Sequence, residues 1–158
     1  MPAMRAARTR GFTLVELLVV MVIIGLTLGM ATLNAIPSPR QDLDKEAQRL
    51  ALLLQLARDE AIVRNRLVAF EANGDRYRFM VRGDAGWEPV TRDDLLRERE
   101  FKNSPLQLIL EPVGTGNPDM LRITFGREPV DRPFVLTMAK GANTVAIRAD
   151  GVGHFTVE

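Results

Sequence analysis

The residue types that most often perform catalysis or bind metals are scarce in this chain of 158 residues. It contains no Cys, which excludes disulfides, thiol nucleophiles, iron–sulfur clusters and Cys-ligated zinc. Its one His, His154, cannot form a His-rich metal site. We expect His154 to be solvated or hydrogen-bonded on the polar side of the last strand rather than catalytic. Much of enzyme chemistry is therefore excluded, and no cofactor is implied.

Two pairs of acidic residues and one glycine-containing segment are the next candidates for a binding site. Asp42 and Asp44 lack the oxygen-rich spacing of a calcium loop. Asp93 and Asp94 lack it as well, and we predict that both pairs start helices or turns. The segment 114–116, Gly-Thr-Gly, lacks the Lys-Ser/Thr ending of a phosphate loop and predicts a hairpin turn. We expect no metal site from these residues.

Basic residues in and before one predicted strand could contact phosphate groups. The five arginines are Arg64, Arg66, Arg76, Arg78 and Arg82. Acidic residues are interspersed among them and the chain carries a net charge of only +1, so a solvated face is the favoured interpretation. Nucleic acid is a disfavoured partner on this basis. The nearby Trp87 is interpreted as a core or hairpin anchor rather than a ligand platform.

The strongest candidate for a functional residue is a single carboxylate in an apolar segment. The apolar run begins at Phe12 and is interrupted only by Glu16, and 23 uncharged residues follow from Leu17 to Pro39. A charge near the centre of a membrane costs about 2.5–3.5 kcal/mol on insertion scales. Glu16 therefore either reaches water at the headgroup level or requires a partner of opposite charge.

This apolar segment is long enough to cross a membrane. About 20 residues at about 1.5 Å each span a hydrocarbon core of about 30 Å. Arg5, Arg8 and Arg10 precede the segment with no acidic residue, which predicts a cytoplasmic N-terminus. A cleavable secretory signal is the alternative, but the run exceeds the about 7–15 apolar residues of such a signal. We therefore predict a transmembrane helix over residues 12–36.

Small residues and prolines mark the second half of the segment. Gly25 and Gly29 form a small-xxx-small pair that could let another helix approach closely, although Gly is common in membrane helices in general. Pro37 and Pro39 lack amide hydrogens and disfavour helix at the preceding residue. They predict a break or kink where the helix leaves the membrane.

The remainder of the chain predicts one amphipathic helix followed by strands. Between residues 41 and 66 the apolar positions are three and four apart along one face: Leu43, Ala47, Leu50, Leu54, Ala57 and Ala61. The polar residues opposite are Asp44, Lys45, Gln48, Arg49, Gln55, Arg58 and Asp59. Six or seven segments from residue 67 onward alternate with period two, and Asn73-Gly74 predicts a hairpin. We predict an α+β fold in which an antiparallel sheet packs on the apolar face of the helix.

The stretch from Arg10 to Val19, RGFTLVELLV, resembles the class III signal of type IV pilins and type II secretion pseudopilins. In that family a basic leader ends in Gly, Phe usually follows, and Glu stands fifth after the cut. The resemblance implies that prepilin peptidase cleaves between Gly11 and Phe12 and that the new amine of Phe12 is methylated. It also implies that Glu16 pairs with the N-terminal amine of a neighbouring subunit during assembly.

The later part of the chain is similar to minor pseudopilins of the H type and to the related FimT-like minor pilins. The similar stretches are residues 46–70, 87–90, 93–99 and 145–157. The resemblance divides the chain into a leader (1–11), a transmembrane helix (12–36), a periplasmic continuation of the N-terminal helix (37–66) and a β-rich periplasmic domain (67–158). It implies a type IV pilin-like fold.

The function that the resemblance implies is structural rather than enzymatic. The chain would be a single-pass inner-membrane protein that joins a periplasmic pseudopilus, which drives export of folded proteins across the outer membrane. The implied partners are prepilin peptidase, other major and minor pseudopilins, the inner-membrane assembly platform and, as a further candidate, secreted cargo. The alternative is a FimT-like minor pilin of a type IV pilus, which would serve pilus initiation or DNA uptake.

Overall fold

The computed structural model describes residues 12–33, 38–91, 93–113 and 120–158. The chain divides into two compact units, Met1–Pro37 and Ser38–Glu158, which are described separately below. Gly11, Pro37 and the segment 114–116 lie outside the described residues, so the predictions made for them are not examined by the structure.

The first unit contains one helix, α1 (Leu14–Leu33). Thr13 starts it, because its hydroxyl oxygen accepts a hydrogen bond from the backbone N–H of Glu16 at 3.3 Å. The hydroxyl of Thr27 donates back to the carbonyl oxygens of Ile23 and Ile24, at 2.9 and 3.0 Å, so this polar side chain is paired within the helix. Within the described ranges, no helix has the length and apolar character needed to cross a membrane.

The second unit begins with helix α2 (Pro39–Val63). Ser38 and Gln41 form a reciprocal capping box, and Pro39 occupies the first helical position, where its missing N–H leaves no bond unmade. All six apolar positions of the predicted face are buried, which confirms the interpretation of this segment as an amphipathic helix.

Nine strands follow in the described part of the chain: β1 (Val68–Ala72), β2 (Arg76–Arg82), β3 (Trp87–Pro89), β4 (Arg99–Glu100), β5 (Gln107–Glu111), β6 (Leu121–Phe125), β7 (Phe134–Lys140), β8 (Asn143–Ala149) and β9 (Phe155–Val157). The first sheet has the order β3-β2-β1-β6, with β4 also paired to β2. The second sheet has the order β5-β7-β8-β9. Every pairing is antiparallel.

The α+β fold class is confirmed, but the strand count and the number of sheets differ from the prediction. Strands β3 and β4 have three and two residues and are too short to show alternation in sequence. Period-two alternation also identifies a strand without identifying its neighbour. The consecutive strands β5 and β6 accordingly belong to different sheets, since β6 pairs with β1 and β5 with β7.

The predicted hairpin joins β1 and β2. Asn73 lies opposite Arg76, so the two loop residues are Gly74 and Asp75. The side-chain oxygen of Asn73 accepts from the backbone N–H groups of Asp75 and Arg76, both at 2.9 Å. A Cβ on Gly74 would lie 2.7 Å from the carbonyl oxygen of Leu106, so only Gly allows this close approach.

The hydrophobic core lies between α2 and the two sheets. Helix α2 contacts β1 and β6 of the first sheet and β7, β8 and β9 of the second. Large buried side chains from both sheets meet its apolar face: Phe70, Tyr77, Phe79, Phe125, Leu136, Met138 and Ile147. The second unit is therefore a helix packed on two antiparallel sheets.

One residue of the predicted polar face is misassigned. Arg58 is buried rather than solvated, and its Nη2 donates a hydrogen bond to the carbonyl oxygen of Pro129. Its sequence position lies beside the apolar face, four residues after Leu54 and three before Ala61. A long side chain at such a margin can be covered by a loop from elsewhere in the chain, which helical periodicity does not reveal.

Candidate functional site

Helix α1 presents apolar side chains to the surroundings as far as residue 29. Every side chain from Phe12 to Gly29 is exposed. Full burial of one Leu, Ile or Val side chain is worth about 1.5–3 kcal/mol. Burial of these side chains against other apolar groups is therefore strongly favoured.

The predicted site residues of α1 lie on this exposed surface. Glu16 is in the first turn, where the positive end of the helix dipole favours a carboxylate. In the described residues its carboxylate forms no ion pair. A Cβ added at Gly25 or Gly29 would meet no heavy atom within 4 Å, so both glycines leave the helix backbone open to a close neighbour.

A second cluster of functional groups lies on the outer face of the first sheet, and we call it the arginine–tryptophan cluster. It consists of Glu71, Arg78, Arg82, Trp87 and Arg122. Glu71 on β1 lies opposite Arg78 on β2 and Arg122 on β6. Its carboxylate accepts hydrogen bonds from Arg78 Nε, at 2.8 Å, and from Arg122 Nη2. One buried carboxylate thus joins three neighbouring strands.

The environment of Glu71 favours its charged form. Burial acts to raise the pKa of Glu71, but the hydrogen bonds and positive charges of Arg122 and Arg78 outweigh burial and hold the pKa below its ordinary value. The side chain of Glu71 is 4% exposed, whereas those of Arg78 and Arg122 are 37% and 31% exposed. The carboxylate is therefore ionised and buried, with both cations reaching solvent.

Trp87 covers part of the same face. Its ring centroid is 5.7 Å from Cζ of Arg82 and 5.3 Å from Cζ of Arg122, distances typical of cation–π contacts. Arg82 is on β2 and Arg122 is on β6, so the ring is contacted by cations from two strands that lie on either side of β1. Trp87 belongs to the β2–β3 hairpin as predicted, but it is half-buried outside the core cluster rather than a core residue.

Four of the five arginines are paired with a carboxylate or stacked on Trp87, so the five do not form a continuous basic surface. Arg64 bonds to Glu60, Arg76 lies 3.3 Å from Glu98, and Arg78 bonds to Glu71. Arg82 stacks on Trp87. Only Arg66 has no side-chain interaction of these kinds in the described part of the chain. The pairing of Glu71 was not predicted, although the register of the β1–β2 hairpin places this carboxylate opposite Arg78.

His154 holds a turn. Its ring Nδ1 lies 2.7 Å from Asp150 Oδ2, and Asp150 Oδ1 accepts from the backbone N–H groups of Val152 and His154, at 2.8 and 3.0 Å. The hydrogen bond from His154 and then that from Val152 lower the pKa of Asp150 to about 2. His154 is exposed and hydrogen-bonded as predicted, and its partner, Asp150, was not predicted. The turn between β8 and β9 is fixed by this pair.

One residue of each predicted acidic pair lies at the start of a helix or in a turn. Asp93 Oδ1 accepts from the backbone N–H groups of Leu95 and Leu96, at 2.7 and 3.3 Å, which is the turn role predicted for it. Asp42 lies in the first turn of α2. Within the described residues, no group of three or more His, Cys, Asp or Glu side chains is arranged to hold a metal ion.

A capped apolar helix with one carboxylate in its first turn, followed in sequence by a helix-on-sheet domain, defines a type IV pilin-like subunit. A family model described as Type II transport protein GspH matches residues 46–153, and one for the prokaryotic N-terminal methylation motif matches residues 6–32. The chain belongs to the GspH family of type II transport proteins.

Two relatives cover most of the chain. It is 35% identical over 153 residues to the type II secretion system protein H of Pseudomonas aeruginosa, which covers 87% of this chain and 86% of that protein. It is 30% identical over 173 residues to the type II secretion system protein H of Aeromonas hydrophila, covering 96% and 94% respectively. The similarity to the Aeromonas hydrophila protein thus extends over nearly the whole chain.

Solved structures share the fold. The minor pseudopilin EpsH from the type II secretion system of Vibrio cholerae superposes with a TM-score of 0.60 at 18% identity, covering 77% of this chain and 98% of that chain. The solution structure of GspH from E. coli superposes with a TM-score of 0.59 at 18% identity, covering 76% and 91%. At 18% identity, this similarity shows that the fold is shared.

Proposed function

We propose that the chain works as a minor pseudopilin, a structural subunit of the periplasmic pseudopilus of a type II secretion system. In this role, residues 12–36 hold the subunit in the inner membrane and then pack among the helices of other subunits. The observation that carries the proposal is helix α1, whose described side chains from Phe12 to Gly29 are all exposed while its first turn holds a single carboxylate.

Processing prepares the helix for this role. We propose that prepilin peptidase cuts between Gly11 and Phe12 on the cytoplasmic side and that the amine of Phe12 is then methylated. The matched N-terminal methylation motif, which spans both residues, supports this assignment. The peptidase acts on the chain, so the chain is a substrate of an enzyme and has a structural rather than a catalytic function itself.

Glu16 is the proposed assembly residue. A carboxylate alone in hydrocarbon costs about 2.5–3.5 kcal/mol, whereas a carboxylate beside a cation of a neighbouring subunit is compensated. Pairing of Glu16 with the Phe12 amine of the next subunit therefore sets the register between adjacent helices. The glycine pair Gly25 and Gly29 would let those helices approach closely.

The second unit supplies contacts outside the membrane. On this proposal the domain from Ser38 to Glu158 lies in the periplasm with the N-terminus of the helix on the cytoplasmic side. It presents its surfaces to other major and minor pseudopilins, to the inner-membrane assembly platform and to exported cargo. The names of the two relatives, both type II secretion proteins, favour this role over one in a type IV pilus.

Deletion and complementation test the proposal. Deletion of the gene should block secretion of folded exoproteins, and the unaltered chain should restore it. Glu16→Ala should be cleaved at the same junction, with a processed mass that differs from that of the unaltered chain only by the substitution, but it should restore little secretion, because the helix register is lost. Glu60→Ala changes a carboxylate on the surface of α2 and serves as the matched control. Normal secretion in the deletion strain would refute the proposed function.

A further inference from the structure

We propose that the free edge of β9 binds an extended segment of a neighbouring pseudopilin, which adds one strand to the second sheet. This inference rests on the proposed function and names one of the contacts that the second unit makes. Strand β9 (Phe155–Val157) pairs with β8 on one side and is the last strand of its sheet. The backbone groups of β9 that point away from β8 are the ones that an added strand could bind.

The hydrogen-bond pattern identifies those groups. Ala146 and Glu158 exchange both backbone hydrogen bonds at 2.9 Å, and Asp150 N–H donates to His154 at 3.2 Å. In an antiparallel ladder such pairs alternate with non-bonded pairs. Ile147 with Val157 and Ala149 with Phe155 are therefore the non-bonded pairs. The N–H and C=O groups of Phe155 and Val157 point away from β8, and in the described chain none of the four has a protein partner.

A groove with both polar and apolar lining residues lies beside this edge. It has a volume of about 370 Å³ and is lined by Gln48, Ala51, Leu52, Gln55, Phe155 and Val157. Leu52 is 68% exposed, whereas Leu50, Leu53 and Leu54 of the same helix are buried. A strand added to β9 would extend the second sheet beside α2, and its inward side chains would cover Leu52. Gln48 and Gln55 provide amide groups on either side for further hydrogen bonds.

The edge is held ready for an added strand. The Asp150–His154 turn fixes the start of β9, and the Phe155 ring packs against Phe125 and Phe134 with centroids 6.4 and 6.1 Å away. Preorganisation lowers the entropy cost of binding. Strand β3, an edge strand of the other sheet, ends in Pro89, which cannot donate to a ladder. β9 has no such protection.

The unpaired ladder groups indicate an extended occupant rather than a helix. A helix satisfies its backbone internally and would leave the four groups of Phe155 and Val157 unpaired, whereas an extended segment pairs with them directly. Neighbouring pseudopilins are the proposed source, because subunits held side by side in one filament have a high effective concentration for such a contact.

Residue-resolved amide hydrogen exchange tests the inference on the processed full chain in detergent. The chain is mixed in turn with the purified major pseudopilin and each purified minor pseudopilin of the same secretion system. We expect one of them to slow exchange at Phe155 and Val157 by about tenfold or more, the effect of one new hydrogen bond. Exchange at Thr156 and Glu158, which already bond to β8, should change little.

Three variants separate the contributions. Val157→Pro removes the outward N–H but keeps the ladder bonds of Thr156 and Glu158, whose exchange reports that β9 is still formed. It should weaken binding of the pseudopilin by about tenfold. Leu52→Asp should weaken it by a similar factor by placing a charge in the groove. Val63→Asp is the matched control, since Val63 is an exposed apolar residue of α2 outside the groove, and it should leave binding unchanged.

Four outcomes would overturn the inference. One is that none of the pseudopilins slows exchange at Phe155 and Val157. Another is that a pseudopilin binds, and Leu52→Asp weakens the binding, but exchange at Phe155 and Val157 is not slowed. This result would indicate that the occupant of the groove is a helix. A third is slow exchange at Phe155 and Val157 when the chain is alone and has the mass of a dimer, because a second copy of this chain would then occupy the edge. The last is binding that Val157→Pro leaves unchanged. If deletion of the gene still blocks secretion in these cases, the inference fails and the proposed function stands.

Discussion

Replacement of Glu71 by Gln should destabilise the second unit markedly. The change keeps the shape of the side chain and removes the charge that holds Arg78 and Arg122 together across β1, β2 and β6. Removal of one member of a fully buried ion pair typically costs about 3–5 kcal/mol. Both arginines are about one-third exposed and can turn towards water, which reduces the cost. We expect a loss of about 2–3 kcal/mol.

Thermal unfolding of the processed full chain in detergent, followed by near-ultraviolet circular dichroism, measures this loss. For a domain of this size 1 kcal/mol corresponds to about 4 °C, so the midpoint should fall by about 8–12 °C. Glu98→Gln is the matched control, because Glu98 pairs with Arg76 at the surface, with the two side chains 48% and 58% exposed. An exposed pair contributes about 0–1 kcal/mol, so this midpoint should shift by at most about 4 °C.

The pH dependence provides an independent check. Because the pKa of Glu71 is lower in the folded chain than its ordinary value of 4.5, its ionisation stabilises the fold at pH values above 4.5. This contribution is lost as the pH falls through the lower folded pKa. The difference in midpoint between the unaltered chain and Glu71→Gln should therefore be constant at neutral pH and shrink below pH 4.5. Equal midpoint shifts for Glu71→Gln and Glu98→Gln would refute the role assigned to Glu71. A midpoint difference between the unaltered chain and Glu71→Gln that does not shrink below pH 4.5 would refute it as well.

Three further predictions follow from the sequence and the structure. Replacement of Gly11 by Ala should leave an uncleaved membrane protein, seen by mass spectrometry as the leader-containing mass, and normal cleavage would contradict the assigned junction. Gly151→Ala should destabilise the second unit by more than about 1 kcal/mol in thermal unfolding, since Gly151 has a φ of +84° and its Cβ would lie 2.3 Å from the carbonyl oxygen of Asp131. Trp87 is the single Trp, so Arg122→Met should change the intrinsic fluorescence through loss of the cation–π contact, and an unchanged spectrum would argue against that contact.

The parts of the fold that could be predicted are those with a local signal. The apolar face of α2 follows from its spacing of three and four residues, and the β1–β2 hairpin follows from Asn73-Gly74 between alternating segments. The neighbours of each strand could not be predicted. Strand β1 pairs with β6 across about fifty residues of chain, and the alternation of side chains does not indicate such a partner. The division into two sheets was missed for this reason.

The same limit explains which site residues could be predicted. Glu16 stands out because its apolar surroundings are contiguous in sequence. Arg58 does not, because the carbonyl group that it binds comes from a distant segment, and for Glu71 only one of the two bound arginines, Arg78, is close in sequence. Arg122 is 51 residues from Glu71, and Pro129 is 71 residues from Arg58. A buried charge is thus visible in sequence only where its surroundings are local.

On the proposed function, the charges that cleavage removes and creates require the chain to be processed before it assembles. Before cleavage, the basic residues nearest to Glu16 in sequence belong to the leader, with Arg10 six positions earlier. The proposed cleavage after Gly11 would remove Arg5, Arg8 and Arg10 together and would create one amine on Phe12, a compact cation at the start of the apolar helix. A precursor has no amine at that position, so its neighbour's Glu16 would keep the cost of about 2.5–3.5 kcal/mol for an unpaired carboxylate in hydrocarbon. On the proposed function, a factor of about 70 or more in subunit association therefore favours processed chains over precursors at each pairing.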